Sequence, residues 1–202
     1  KIKTVENKHT HLVPEELEQL ERLSLTDKHM KLQKSLDAFL FCCYAGMRYS
    51  DFTNLSKKNI VDINQETWLI YKSVKTGTEV RLPLYLLFAG KGIVILNKYR
   101  NNLEDFFRLR DNSNINKDLI IIAKLAGLSK KISFHTARHT NATLLIYNGV
   151  NITTVQKLLG HKSVKTTQVY TNIMDMTIVH DLEKIKQAAL GIKKKTDNSF
   201  NK

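Results

Sequence analysis

The sequence predicts a mainly α-helical domain with one small antiparallel β-sheet near its middle, an α+β fold. Apolar residues recur at spacings of three and four before residue 56 and after residue 84, which is the period of an amphipathic helix. Between residues 60 and 82 the pattern changes to alternation, which is typical of short strands. The chain has 202 residues, 42% hydrophobic and 25% charged, a composition that favours one globular domain with a sizeable core.

Three helices are predicted in the first part of the chain. Pro14 and the acidic residues after it begin a helix that runs to about Leu23, because proline fits the first turn and acids are stabilised at the positive end of the helix dipole. A second helix is expected from Lys28 to Tyr44, and Gly46 ends it. A short third helix is expected from Tyr49 to Leu55.

Three short strands are predicted next. They lie at Ile60–Ile63, Thr67–Tyr71 and Glu79–Leu82, with a turn at Asn64-Gln65 between the first two. Thr76-Gly77 has the residue types of a tight turn and connects the second and third strands.

Helical periodicity returns in the second half. It is expected from Leu84 to Phe107, interrupted by Gly90 and Gly92, and a polar loop is expected from Arg108 to Asn116. The remaining helices are predicted at Asp118–Ala126, from the Ser133 cap to Asn148-Gly149, from Asn151 to Gly160, and at Ile178–Leu190. One domain is thus expected over residues 1–190, followed by a basic, disordered tail at residues 191–202.

The charge balance indicates a polyanionic partner. Lys and Arg number 32 against 19 Asp and Glu, which gives a net charge of +13 and a pI near 9.7. Nucleic acid is the first candidate and an anionic membrane surface the second. The longest apolar run, Ala38–Met47, is about half of the roughly 20 residues that a spanning helix needs, so no membrane partner is expected.

The compartment is expected to be reducing and cytoplasmic. Cys42 and Cys43 are adjacent in an apolar helical segment, where they are poorly placed to form a disulfide with each other or with anything distant. The first ten residues lack the apolar core of a signal peptide.

A group of polar residues in the last third has no packing explanation. His135 and Arg138 are three apart on a predicted helix, so we expect them to project from one face, and a guanidinium there suits two phosphate oxygens. His161 follows a predicted helix end, and Tyr170 comes soon after. This pattern predicts a phosphate-handling site with a nucleophile. A helical zinc pair at His135 and His139 is the weaker alternative, because the glutamate of the metalloprotease helix is missing.

These residues stand in motifs that resemble the tyrosine recombinases, the phage integrase family. The motifs of the last third, in order, are His135-x-x-Arg138-His139-Thr140, Asn148-Gly149-Val150, Leu158-Leu159-Gly160-His161 and Thr166-Thr167-Gln168-Val169-Tyr170. Upstream, Ala45-Gly46-Met47-Arg48-Tyr49-Ser50-Asp51 is similar to the family's first arginine motif, and the segment from Lys75 to Leu84 is similar to its lysine-bearing hairpin.

The chemistry of these residue types suits cleavage of a DNA phosphodiester. The transition state gathers negative charge on the non-bridging oxygens, which Arg48, Arg138 and His161 would stabilise. No clustered carboxylates that could hold magnesium are evident, so a metal-free site without a cofactor is expected. Tyr170 is the candidate nucleophile, His135 the candidate base that removes its proton, and Lys75 the candidate acid that protonates the leaving sugar oxygen.

The resemblance adds the course and setting of the reaction. It implies a 3′-phosphotyrosyl intermediate on Tyr170, strand exchange through a Holliday junction, and Asp51 at the family's acidic support position. It implies a homotetramer on double-stranded DNA, with accessory DNA-bending proteins as further partners, acting in a bacterial nucleoid to integrate or excise a mobile element. Family members usually carry a core-binding domain, and none is expected before Pro14.

Two other functions remain open at this point. A type IB topoisomerase would share the chemistry but rejoin the original strand. A DNA-binding regulator would keep the basic surface with an inert site.

Overall fold

The computed structural model describes residues 10–173, with side chains as far as residue 170. Within this part the helices are α1 (Pro14–Glu21), α2 (Gln33–Ala45), α3 (Tyr49–Thr53), α4 (Lys91–Lys98), α5 (Leu103–Phe107), α6 (Asn112–Leu125), α7 (Phe134–Tyr147) and α8 (Ile152–Leu159). The strands are β1 (Ile60–Ile63), β2 (Glu66–Lys72) and β3 (Glu79–Pro83). The predicted fold class, mainly helical with one small sheet, is confirmed.

The core is built around α2 and α7, which pack against each other. Every residue of α2 from Ser35 to Ala45 is buried, and α7 is buried from Thr136 to Ile146, so both helices are enclosed on all sides. The helix α2 also contacts α1, α4, α5 and α6. An aromatic cluster of Phe41, Phe52, Phe106, Phe107 and Phe134 fills the space next to α2. These two enclosed helices provide the rigid base on which the polar site is assembled.

The sheet is antiparallel in the order β1-β2-β3, as the alternating pattern predicts. Asn64 and Gln65 connect β1 to β2, and both have positive φ, 55° and 66°, which matches the right-handed twist of the strands that they join. The longer connection from β2 to β3 closes through Ser73, whose backbone N–H donates to Thr78 O at 2.8 Å. Gly77 has a φ of 68° in this connection.

Several predicted boundaries are wrong. The loop expected at Arg108–Asn116 is mostly helix, because the Asp111 side chain accepts a hydrogen bond from Asn114 N at 3.0 Å and starts α6 at Asn112. The stretch before α2, Asp27–Leu32, is a 3₁₀ helix.

The segment expected to be helical from Leu84 to Phe107 is broken into three pieces. Phe88 and Ala89 have φ of 48° and 53°, which a right-handed helix cannot accommodate, so a kinked turn at Leu87–Gly90 precedes α4, and α5 begins only at Leu103.

The helix predicted at Ile178–Leu190 and the tail at residues 191–202 lie outside the described residues. Among the helices of residues 10–173, none has the length and apolar character needed to cross a membrane.

Candidate active site

Arg138 forms the centre of the site. Its side chain projects from α7 into the interior, with a relative exposure of 1%. Nη1 donates to Gly46 O at 2.7 Å and Nη2 donates to Leu159 O at 2.6 Å. One buried guanidinium therefore joins the end of α2 to the end of α8. Burial, and then the nearby charge of Arg48, lower the pKa of Arg138 to about 10, so it remains a cation at neutral pH.

Gly46 allows this junction to close. The helix α2 ends there with a φ of 66°, and a Cβ at this position would lie 2.6 Å from Asn141 Oδ1 and 2.8 Å from Leu159 Cδ2. Asn141 itself caps α2, since its Nδ2 donates to Cys43 O and Tyr44 O, each at 2.9 Å. The tight approach brings the residue two positions later, Arg48, to the start of α3 beside the junction.

Arg48 is held next to a buried carboxylate. Its Nη1 lies 3.5 Å from Asp51 Oδ2 and 3.4 Å from Ser73 Oγ. Both distances exceed those of well-formed hydrogen bonds, so the guanidinium is loosely held and keeps donors for a ligand. Asp51 is 1% exposed and accepts hydrogen bonds from Val74 N at 2.8 Å and from Ser73 Oγ at 3.4 Å. Its carboxylate thus contacts both the arginine and the lysine-bearing turn.

Lys75 lies in an exposed turn between β2 and β3. The backbone N–H of the residue before it, Val74, donates a hydrogen bond to Asp51, as just described. The residue after it, Thr76, donates from Oγ1 to Gly160 O at 3.2 Å. The turn is therefore anchored on both sides of Lys75, to α3 and to the segment that carries His161. No local sequence pattern predicts these two anchors.

His161 is buried directly after the left-handed Gly160 that ends α8. A Cβ on Gly160 would lie 2.6 Å from Val80 Cγ2, so glycine lets this segment press against the sheet. His161 Nδ1 is hydrogen-bonded to Thr167 Oγ1 at 2.9 Å. Burial, followed by the positive charges of Arg138 and Arg48, lowers the pKa of His161 to about 4, so the ring is neutral at pH 7.

Tyr170 is also buried, with a relative exposure of 5%. Its hydroxyl is hydrogen-bonded to His139 Nδ1 at 2.9 Å. Burial raises the pKa of the phenol, and the charges of Arg138 and Arg48 oppose that rise. The nucleophile candidate is thus a protonated phenol within electrostatic range of both arginines.

The histidine next to Tyr170 is not the one that the sequence analysis assigned as base. His135 is exposed because it lies in the first turn of α7, before the enclosed stretch from Thr136 to Ile146 that includes Arg138. The His135 ring packs edge-on against His139, with ring centroids 4.4 Å apart. His139 entered the sequence analysis as part of the family motif and as a zinc partner but was given no role in the reaction, although its place four residues after His135 put it one turn further along the same helix.

Among residues 10–170, no group of three or more His, Cys, Asp or Glu side chains is arranged to hold a metal ion.

Comparison with known proteins agrees with this fold. The sequence model of the phage integrase family matches residues 11–176. A tyrosine recombinase of Pseudothermotoga lettingae is 30% identical over 181 residues, which cover 87% of this chain and 60% of that protein. The crystal structure of a XerA recombinase is similar with a TM-score of 0.67 and 26% identity, over 87% of this chain and 64% of that one. A λ integrase tetramer bound to a Holliday junction gives a TM-score of 0.60 at 19% identity, over 78% of this chain and 47% of that one.

The chain spans about half to three fifths of the length of the curated relatives that it matches first, 60% of one and 49% of the next. The match of the family model covers nearly all of the described residues and includes Arg48, Lys75, Arg138, His161 and Tyr170. The resemblance drawn from the motifs is confirmed: this chain belongs to the phage integrase family.

Proposed function

We propose that this chain is the catalytic domain of a site-specific DNA recombinase in which Tyr170 attacks a DNA phosphodiester. The observation that carries the proposal is the Arg138 junction. By bonding Gly46 O and Leu159 O, this buried cation gathers the segments that bear Arg48 and His161, and Tyr170 lies within electrostatic range of both arginines.

The two arginines have donors left for a phosphate. A guanidinium carries five N–H groups, and Arg138 uses two of them on main-chain carbonyls. Arg48 is loosely held and partly exposed. Together they would stabilise the negative charge that develops on the non-bridging oxygens of the pentacoordinate phosphorus.

In the chemical step, the Tyr170 phenolic oxygen forms a bond to phosphorus and the P–O5′ bond breaks, with its electron pair passing to the sugar oxygen. Lys75 supplies the proton that makes this oxygen a 5′-hydroxyl. The phenolic proton passes to a base; the 2.9 Å contact supports His139 in this role, and the family resemblance supports His135. Neutral His161 would donate a hydrogen bond to the phosphate. The product is a 3′-phosphotyrosyl link whose energy is retained for rejoining.

The proposal also includes the oligomeric state, the DNA partner and the compartment in which the reaction takes place. We expect a homotetramer on double-stranded DNA, acting in a bacterial cytoplasm on the ends of a mobile element, with accessory DNA-bending proteins. Similar proteins include Xer recombinases as well as λ integrase, so the DNA site is to be tested both on mobile-element ends and on a chromosomal site.

Covalent trapping tests the chemistry. The 202-residue chain is incubated with nicked duplexes that carry candidate sites from the DNA flanking its gene, and the complex is resolved on a denaturing gel. We expect a covalent protein–DNA complex that Tyr170→Phe abolishes while DNA binding is kept, because only the nucleophilic oxygen is lost. Tyr99→Phe is the matched control, since the Tyr99 hydroxyl donates to Asp37 outside this site.

The outcomes separate the alternatives. A covalent complex with Tyr170→Phe would show that another residue is the nucleophile. Absence of any complex with the unmodified chain on every site would favour an inert regulator. Relaxation of supercoiled DNA without resolution of a Holliday junction would instead indicate a type IB topoisomerase.

A further inference from the structure

One buried hydroxyl near the arginines has no hydrogen-bond partner within the protein. Tyr71 Oη, on β2, is the single buried side-chain N or O atom among the described residues for which this is true. Other enclosed tyrosines do have partners: Tyr44 Oη donates to Glu21 at 2.6 Å, and Tyr170 Oη is bonded to His139. Because buried polar groups are nearly always paired, this exception calls for an explanation.

Tyr71 lies on the face of the sheet that meets the site. Side chains two apart along extended chain project to the same face, and the pairing continues one residue past β2, where Ser73 N donates to Thr78 O, so Tyr71 and Ser73 share a face. Ser73 Oγ accepts from Arg48 and donates to Asp51. The cross-strand neighbour of Tyr71 is Val80, whose side chain presses against Gly160.

Both arginines act on the Tyr71 hydroxyl electrostatically. Burial, and then the charge of Asp51, raise the pKa of Tyr71, while the positive charges of Arg138 and Arg48 lower it. The hydroxyl is therefore within electrostatic range of both guanidinium groups and of Asp51, and it is protonated at neutral pH.

A phenylalanine would fill the same space without an unpaired group. Leaving a buried hydroxyl unpaired costs stability, whereas an apolar ring of the same shape does not. The cost is explained if the hydroxyl acquires its partner when substrate is bound. Arg48 lies within electrostatic range of this hydroxyl and is able to turn, because its contacts of 3.4 and 3.5 Å hold it loosely.

We propose that Tyr71 is a positioning residue for the arginine pair: when a DNA phosphate lies against Arg48 and Arg138, a guanidinium N–H turns onto the Tyr71 hydroxyl, which holds that cation in place. The inference rests on the proposed function of the site. The hydroxyl acts through the arginines and does not itself react, so its loss slows cleavage without removing the nucleophile or the basic surface.

Tyr71→Phe tests this role. We expect an unchanged or higher melting temperature, DNA affinity within twofold of the unmodified chain, and single-turnover cleavage of a suicide substrate slower by about tenfold. The matched control is Tyr44→Phe, which removes a paired hydroxyl. It should melt at a lower temperature and cleave at the unmodified rate. A structural role for the Tyr71 hydroxyl would instead lower the melting temperature and leave the cleavage rate unchanged.

The same variant separates this inference from the proposed function. If the unmodified chain cleaves and Tyr71→Phe cleaves within twofold of it, the positioning role is overturned while the function stands. If the unmodified chain does not cleave, the proposed function fails, and protection against thermal unfolding by inorganic phosphate then tests Tyr71 alone. Weaker phosphate protection in Tyr71→Phe supports the positioning role, and equal protection overturns it.

Discussion

The two arginines of the site should respond differently to the same conservative change. Arg138 donates to two buried carbonyls, of Gly46 and Leu159, at 2.7 and 2.6 Å, whereas Arg48 makes only contacts of 3.4 and 3.5 Å. Lysine keeps the positive charge but replaces a planar fork with a single ammonium group, which cannot reach both carbonyls in the same geometry. We therefore expect Arg138→Lys to weaken the fold and Arg48→Lys to leave it nearly intact.

The magnitude follows from the hydrogen bonds lost. A bond from a charged donor contributes about 1.5–3 kcal/mol, and Arg138→Lys loses at least one while leaving a buried carbonyl unpaired, so the free energy of unfolding should fall by about 2–3 kcal/mol. In a chain of this size, that corresponds to roughly 4–12 °C in melting temperature. Arg48→Lys keeps a cation beside the buried Asp51 and gives up one long hydrogen bond, so it should cost about 1 kcal/mol.

Urea unfolding and single-turnover cleavage measure the two effects separately. Both variants should cleave about a hundredfold more slowly or worse, because the bidentate donors to the transition state are lost. The slower cleavage of Arg48→Lys should persist at a temperature where the protein is fully folded. Equal losses of unfolding free energy in the two variants would refute the view that Arg138 is the structural junction.

Three further results are expected. Thr76→Val removes the bond to Gly160 O and should slow cleavage about tenfold at unchanged DNA affinity; an unchanged rate would mean that this anchor does not position Lys75. Because the pKa of His161 is lowered in the folded state, the free energy of unfolding should fall by up to about 3 kcal/mol as the pH drops from 6.5 toward 4. In urea unfolding, the stability of His161→Gln should depend less on pH in that window. An unaltered dependence would contradict the assignment. His139→Gln should slow formation of the covalent complex more than His135→Gln, and the reverse order would return the role of base to His135.

The sheet could be predicted from the sequence because its determinants are local. Alternation of apolar residues sets the strands, and residue types that tolerate positive φ set the turns, as at Asn64 and Gly77. The start of α6 could not be predicted from the sequence, because the stretch after Asp111 is rich in asparagine and resembles a loop. Only the side chain of Asp111, bonded to Asn114 N, shows that the helix begins there.

The identity of the site residues and their arrangement were predictable to different degrees. The order of the motifs was enough to single out Arg48, Arg138, His161 and Tyr170 as candidates. The bonds that assemble the site join positions far apart in sequence, such as Arg138 with Gly46, and no local pattern encodes them. The anchor of Thr76 on Gly160 is of the same kind.

Tyr170 shows how burial and charge act against each other in this site. Burial raises the pKa of the phenol, which keeps it protonated, while Arg138 and Arg48 lower it. A bound phosphate offsets the charge of both arginines, so their help in deprotonating the phenol weakens at the moment when the nucleophile is needed. The proton must then leave through a direct contact rather than through the field of the arginines. We therefore expect His139, 2.9 Å from the hydroxyl and buried with it, to accept this proton.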